Sequence, residues 1–237
     1  MNNASYVTLT RQDGLLREMQ VIANNIANQA TAGFKQQGIT FSEYVQHSGQ
    51  DDFLSMAVAH VPKRDTSQGA LRMTGGQFDM AIQGQGYFAV QTDQGVRLSR
   101  AGAFYLNAQG ALVNYDNIPV LDERQKPILL PPEIQTVDIR ANGEVVADGT
   151  TLAKVGLFVP QDDQRILSEN GVLFDPKGPI VPSISSQIQS GYLEEANVDP
   201  ILQIARMIEI QRAFEIGEKL AEQENERKLS ATEKLAT

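Results

Sequence analysis

The stretch that decides the fold closes an N-terminal helix and reads Ala23-Asn24-Asn25-Ile26-Ala27-Asn28-Gln29-Ala30-Thr31-Ala32-Gly33-Phe34-Lys35. Three asparagines in five residues are unusual in a helix, because their side chains compete for backbone hydrogen bonds. Gly33 can adopt the left-handed conformation that ends a helix. The pattern predicts a helix over residues 2–30, with amides that either bond across a close helix contact or lie in a fraying end.

An apolar seam precedes this stretch at spacings of four, three and four residues. Such spacing is typical of a coiled-coil-like contact along one helix face. Ala23, Ala27 and Ala30 are small enough to let a neighbouring helix approach closely. The seam consists of Leu15, Met19, Ile22 and Ile26.

A second helix is predicted near the other end of the chain, over residues 197–224. Asn197 is the expected N-cap, with Asp199 and Pro200 in the first turn. The apolar residues fall into two stripes that together make a wide apolar face. One stripe is Ile201, Ile204 and Ile208, and the other is Met207, Ile210 and Phe214.

The chain between the helices changes to a period of two, with turns at short intervals. Residues 71–190 are therefore predicted to form an all-β domain, a sandwich or a barrel. Gly84 and Gly86 could suggest a phosphate-binding loop, but the lysine and the following helix are missing, so a tight hairpin turn is expected. Residues 34–70 are predicted to be an extended connector with a short helix or strand, and 191–196 a return linker.

The fold class is accordingly α+β, with an all-β central domain flanked by terminal α-helices that pack together as a coiled-coil-like domain. That helical domain is expected to comprise residues 1–33 and 197–237. Identical subunits that expose apolar helix faces can build an open helical filament by head-to-tail contact. The alternative is a soluble β-rich binding module whose end helices form an intramolecular hairpin.

The composition argues against several other function classes. A net charge of −9 disfavours nucleic acid as a partner, and the chain has no cysteine. His47 and His60 have no second histidine at ligand spacing, so neither a metal site nor a cofactor is expected. Scattered serines and contiguous acidic pairs provide no catalytic constellation, so the chain is not expected to be an enzyme.

Neither a cleavable secretory signal nor a transmembrane helix is expected. The first ten residues contain no Lys or Arg and no apolar run of seven, and no stretch of about 18 apolar residues occurs. From the residues alone, this pattern favours a cytoplasmic protein without direct membrane insertion.

The N-terminal stretch resembles the signature of the flagellar rod and hook axial proteins, in which Ala-Asn-Asn-Ile/Leu-Ala-Asn is followed by Thr-x-Gly-Phe-Lys. Residues 76–88, Gly-Gln-Phe-Asp-Met-Ala-Ile-Gln-Gly-Gln-Gly-Tyr-Phe, are similar to the second signature of that family. Residues 100–110 resemble the segments that follow it. Residues 206–215, Arg-Met-Ile-Glu-Ile-Gln-Arg-Ala-Phe-Glu, resemble its C-terminal signature.

The resemblance implies a structural subunit of the bacterial flagellar basal-body rod, in which the helices form the inner domain and the β domain the outer one. The N-terminal residues are most like those of the proximal rod members of the family, with the distal rod members as the alternative. The implied partners are further copies, other rod and hook proteins, and the flagellar type III export apparatus. The implied place is the rod across the periplasm, reached without a cleaved signal, where the subunit would transmit torque from motor to hook.

The residues expected at the assembly interface come from both helices and from the signature that follows the first. They are Leu15, Met19, Ile22, Asn24, Asn25, Ile26, Asn28, Gly33, Phe34, Ile201, Ile204, Met207, Ile208, Gln211 and Phe214.

Overall fold

A computed structural model describes residues 3–47, 53–131, 134, 136–162, 166–169 and 171–236. In sequence, two long helices, α1 (Asn3–Ala27) and α2 (Pro200–Ala236), flank a β-rich segment. The strands are β1 (Gln37–His47), β2 (Phe53–Arg64), β3 (Leu71–Met73), β4 (Met80–Gln83), β5 (Tyr87–Thr92), β6 (Gly95–Ser99), β7 (Tyr105–Leu106), β8 (Leu112–Val113), β9 (Val137–Ile139), β10 (Glu144–Ala147), β11 (Thr150–Lys154), β12 (Leu157–Pro160), β13 (Leu167–Glu169), β14 (Leu173–Asp175), β15 (Ile180–Pro182), β16 (Gln187–Ser190) and β17 (Tyr192–Glu194).

The chain divides into two compact units. The first unit contains α1, the β1–β2 hairpin and α2, and the second consists of residues 28–35 and 66–197. Helices at both ends that pack together, with a β-rich region between them, confirm the predicted fold class.

Two segments differ from the sequence expectation. Residues 37–64, expected as a connector with a short helix or strand, form a long antiparallel hairpin that packs on α1. Residues 192–194, expected in a return linker, form β17 and pair with β3 inside the second unit. Both segments mix apolar and polar residues irregularly, so periodicity alone did not reveal their strands.

The start of α2 also differs from the prediction. Asp199, not Asn197, is the N-cap, because its Oδ1 accepts hydrogen bonds from the backbone N–H groups of Ile201 and Leu202. Pro200 then occupies the first helical position, where its missing N–H costs nothing. Asn197 instead donates its side-chain amide to Ser67.

Among the described residues of the second unit, the largest sheet has six antiparallel strands in the order β13-β14-β6-β5-β12-β15. Strand β5 is central and is buried on both faces. Phe88 and Val90 pack into one apolar cluster, whereas Tyr87 and Ala89 pack into another. This two-sided burial explains why β5 is a continuous apolar run and does not alternate with polar residues.

A structural repeat of seven to eight residues lies between β7 and β9. In each copy an Asn or Asp side chain accepts hydrogen bonds from the backbone N–H groups two and four residues later, and the third residue after it has a positive φ. The capping residues are Asn107, Asn114 and Asp122, and the positive-φ residues are Gly110, Asn117 and Gln125.

The three copies are joined by a closed ring of backbone hydrogen bonds. The N–H of Leu112 donates to Ile128, that of Ile128 donates to Val120, and that of Val120 donates back to Leu112. All three side chains are buried in the same apolar cluster. The repeated sequence therefore forms a pseudo-threefold core for this part of the unit.

Gly84 and Gly86 do not form the expected hairpin turn. Both have positive φ, but the strands that they connect pair with other strands: β4 with β16, and β5 with β6 and β12. The glycines therefore carry the chain from one sheet to another. The carbonyl of Gly84 accepts a hydrogen bond from Arg100 Nη2 at 2.7 Å.

Candidate assembly surface

The two terminal helices form an antiparallel pair within the first unit. Residues near the end of α1 meet residues near the start of α2: Asn25 bonds to Gln203, and Glu18 forms an ion pair with Arg206 at 2.9 Å. The hydrogen bond that Arg206 donates to the Glu18 carboxylate is the main cause that raises the pKa of Arg206. Gln12 lies beside Gly217 further along the pair.

The predicted seam of α1 lies on the helix between residues that contact α2, which are Gln12, Glu18 and Asn25. Within the seam Ile22 is buried, and Leu15, Met19 and Ile26 are half-buried. On α2 the facing positions follow the alternating spacing of four and three residues. They are Gln203, Met207, Ile210, Phe214 and Gly217.

Asn25 is the polar centre of this packing. Its Nδ2 donates to the backbone oxygen of Gln37 at 2.8 Å and to Gln203 Oε1 at 3.2 Å, and its Oδ1 accepts from the Gln37 N–H at 2.9 Å. The residue is 1% exposed. One asparagine of the signature thus joins α1, the hairpin and α2 inside a single chain, while its neighbour Asn24 is exposed.

The opposite faces of the helices carry exposed apolar residues. On α2, Ile201, Ile204 and Ile208 are 81%, 51% and 44% exposed. The sequence predicted one wide apolar face that includes this stripe and the buried one, and only the packing of α1 separates them. Other large apolar residues exposed on the described parts of the helices are Leu9, Leu16, Leu202, Ile216, Leu220 and Leu229.

The end of the signature belongs to the interior of the second unit. Gly33 has φ +71° and lies so close to the backbone of Arg100 and Ala101 that a β-carbon would overlap it. Phe34 is fully buried. The carbonyl and side chain of Asn28 accept hydrogen bonds from Thr31. Because Gly33 and Phe34 are interior residues, the candidate assembly surface proposed below omits them.

Lys35, the last residue of the signature, is buried with an acidic partner. Its Nζ lies 2.5 Å from Glu194 Oε1, and both side chains have no exposed area. Arg100 Nη1 lies 3.0 Å from the other carboxylate oxygen, and its guanidinium sits over the ring of Tyr87. No local sequence pattern indicated this cluster.

Other charged residues of the second unit form ion pairs on its six-stranded sheet. Arg97 on β6 is nearly buried and bonds to Glu169, whose carboxylate raises the pKa of Arg97. On the neighbouring strand, hydrogen bonds from Lys177 lower the pKa of Asp175. The Arg97–Glu169 pair links β6 to β13.

The described residues offer little for catalysis or metal binding. They contain no group of three or more His, Asp or Glu residues placed to hold a metal ion, and the side chains of His47 and His60 lie outside the described residues. An open cleft of about 770 Å³ in the second unit is bordered by the exposed ion pair between Glu123 and Lys154. In the described part of the chain, no helix is long and apolar enough to cross a membrane.

Comparisons with known proteins agree with the signatures. Residues 81–147 match the family pattern described as the flagellar hook protein FlgE/F/G D1 domain. Residues 189–232 match the flagellar basal body rod FlgEFG protein C-terminal pattern. The flagellar basal-body rod protein FlgF of Caulobacter vibrioides is 35% identical, over 99% of this chain and 98% of its own length. The chain belongs to the family of flagellar basal-body rod proteins.

Within this family the chain is most like FlgF. FlgF of Mesorhizobium japonicum is 34% identical over 91% of this chain and 90% of its own length. FlgG of Agrobacterium fabrum is 31% identical over 90% of this chain and 92% of its own length. The chain is therefore a structural rod subunit of the flagellar basal body, and FlgF is favoured over FlgG. The family is one of structural proteins, not of enzymes.

Proposed function

We propose that the chain is a proximal rod subunit that polymerises with rod and hook axial proteins through the outer faces of its terminal helices. The observation that carries this proposal is the exposed stripe of Ile201, Ile204 and Ile208. Its own chain leaves the stripe uncovered, because α1 packs on a different face of α2. Contiguous exposed apolar surface of this kind is typical of an interaction site.

We assign two roles to the residues of the predicted interface: some join α1 to α2, and others form the surface that contacts neighbouring subunits. Leu15, Met19, Ile22, Ile26, Met207 and Phe214 hold α1 and α2 together, so that the pair enters the rod as one element. Asn24 and Gln211 are exposed and join the contact surface beside the isoleucines. Head-to-tail repetition of such a contact produces a helical filament, which suits a shaft that transmits torque.

We further propose that the subunit reaches the rod in the periplasm through the flagellar type III export apparatus. The support is the family membership. Neither a nucleic acid nor a membrane is a proposed partner, since the net charge of −9 opposes both polyanionic surfaces.

Substitution of the exposed stripe tests the assembly proposal. We expect Ile204→Asp to abolish swimming and the growth of hooks in a strain that carries this variant as its only copy, because a charge would be buried at each subunit contact. Ile204→Val keeps the apolar surface and is the matched control, with swimming close to wild type. Circular dichroism of the purified variants shows whether the helices are kept, as expected for a half-exposed site. Normal swimming of a folded Ile204→Asp variant would refute the proposal.

A further inference from the structure

Glu194 is a fully buried acidic residue of the second unit with several hydrogen-bonded partners. Its Oε1 accepts hydrogen bonds from Lys35 Nζ at 2.5 Å and from the Gly69 N–H at 3.0 Å, and its Oε2 accepts from Arg100 Nη1 at 3.0 Å. Its backbone oxygen accepts from the Gly33 N–H at 2.8 Å. One residue thereby fastens four others that are distant in sequence.

Three of these partners and Glu194 itself lie close to points where the chain passes from one unit to the other. The chain passes between the two units at four points, after residues 27, 35, 65 and 197. Gly33 and Lys35 precede the second point, Gly69 follows the third, and Glu194 precedes the fourth. The Ser67 carbonyl strengthens the same junction, because it accepts from both Lys35 Nζ at 2.6 Å and Asn197 Nδ2 at 3.1 Å.

Charged groups also lie at these junction segments. One fully buried carboxylate lies between two cations, and the carbonyls of Ser67, Ile82 and Gly84 accept further hydrogen bonds from Lys35 and Arg100. A buried ion pair is a poor means of adding stability, since desolvation offsets most of its attraction. Removing one partner is nonetheless costly, because it leaves the other charge buried and uncompensated. Such a contact fixes geometry more than it adds free energy.

We propose that Glu194 is a mechanical clamp that keeps the junction segments of the second unit together when force reaches them through the chain. The purpose of the clamp rests on the proposed function, because a rod subunit transmits torque. The clamp itself is a property of the second unit and can be measured on the purified full chain. It assigns a mechanical role to Lys35, the last residue of the family signature, through its bond to Glu194.

Single-molecule stretching tests the clamp directly. The chain has no cysteine, so handles can be attached through Ala30→Cys and Ala196→Cys, which place the force across the contacts of Glu194. Under constant force we expect Glu194→Gln to shorten the lifetime of the folded second unit about tenfold or more. The matched control is Glu195→Gln, whose carboxylate forms only a half-exposed ion pair with Arg72 and should change the lifetime by less than about twofold.

A second pulling direction separates a clamp from a general loss of stability. With handles at the exposed positions Arg124→Cys and Gln161→Cys, the stretch between the handles contains none of the residues that bond to Glu194, and Glu194→Gln should then change the lifetime by less than about twofold. Equal shortening in both directions would make Glu194 an ordinary core residue and overturn the clamp. An unchanged lifetime in the first direction would overturn it as well.

Hydrogen exchange of the unmodified chain keeps the test decisive if Glu194→Gln does not fold. The clamp requires the amides of Gly33 and Gly69 to be protected as strongly as the buried amide of Phe88, because they open only with the unit. Exchange at the rate of an exposed turn would contradict the clamp. None of these results depends on swimming, so a failed clamp and a failed rod assignment are distinguishable.

Discussion

Replacement of Asn25 by alanine should destabilise the helical unit more than any other change in the asparagine cluster. The substitution removes three hydrogen bonds and leaves the backbone N–H and C=O of Gln37 and the side-chain oxygen of Gln203 without these partners. A net hydrogen bond contributes about 1 kcal/mol, and a buried unsatisfied group costs about 1–3 kcal/mol. Because water can enter at the partly buried Gln37, we expect a total loss of about 2–4 kcal/mol in the free energy of unfolding.

The assay is urea unfolding of the full chain followed by far-ultraviolet circular dichroism, which is dominated by the helices of the first unit. Asn24→Ala is the matched control. That residue is one position away and exposed, so its replacement should change the free energy of unfolding by about 0.5 kcal/mol or less. A loss below about 1 kcal/mol for Asn25→Ala, or equal losses for the two variants, would refute the assignment of Asn25 as the residue that joins the three elements.

Two further predictions concern the second unit. Gln125 has φ +59°, so Gln125→Gly should raise the free energy of unfolding by up to about 1 kcal/mol, measured by thermal unfolding; an equally large loss would contradict the strained conformation. The lowered pKa of Asp175 means that its ionised form stabilises the fold above its unfolded pKa of about 3.9, and that this stability is lost as the pH falls through the lower, folded value. The stability difference between wild type and Asp175→Asn should therefore shrink on acidification below roughly pH 4, and a difference that grows would contradict the assignment.

The parts of the fold that the sequence predicted depend on local patterns. The apolar spacing of α1 and the alternation around β4 arise within a few residues, so the class of each element and the α+β architecture could be predicted. The N-cap of α2 shows the limit of such patterns. Asn197 and Asp199 are both good capping residues, and only the position of Pro200 in the first turn distinguishes them.

The parts that could not be predicted depend on contacts between distant residues. Lys35 and Glu194 are 159 positions apart, and a lysine after a glycine and a phenylalanine gives no local sign of burial. Which stripe of α2 faces α1 is likewise decided by the partner helix. Ile204 and Ile210 have the same side chain, yet one is half exposed and the other is 2% exposed.

Three residues of the family signature each make a different contact inside the subunit. Asn25 joins α1 to the hairpin and α2, Gly33 allows the chain to pass close to the backbone of Arg100, and Lys35 meets Glu194. The signature therefore maintains the subunit's own architecture, whereas the surface proposed for assembly lies on the outer faces of the helices.

Site-specific photo-crosslinking in flagellated cells tests the central proposal most directly. A photo-reactive amino acid replaces Ile204 on the outer face of α2 in one strain and the buried Ile210 in another. If the outer face of α2 is a subunit contact, position 204 crosslinks to another copy or another axial protein in isolated basal bodies, and position 210 crosslinks within its own chain. The proposed contact is refuted if position 204 gives no intermolecular product in assembled rods, or if both positions give it equally.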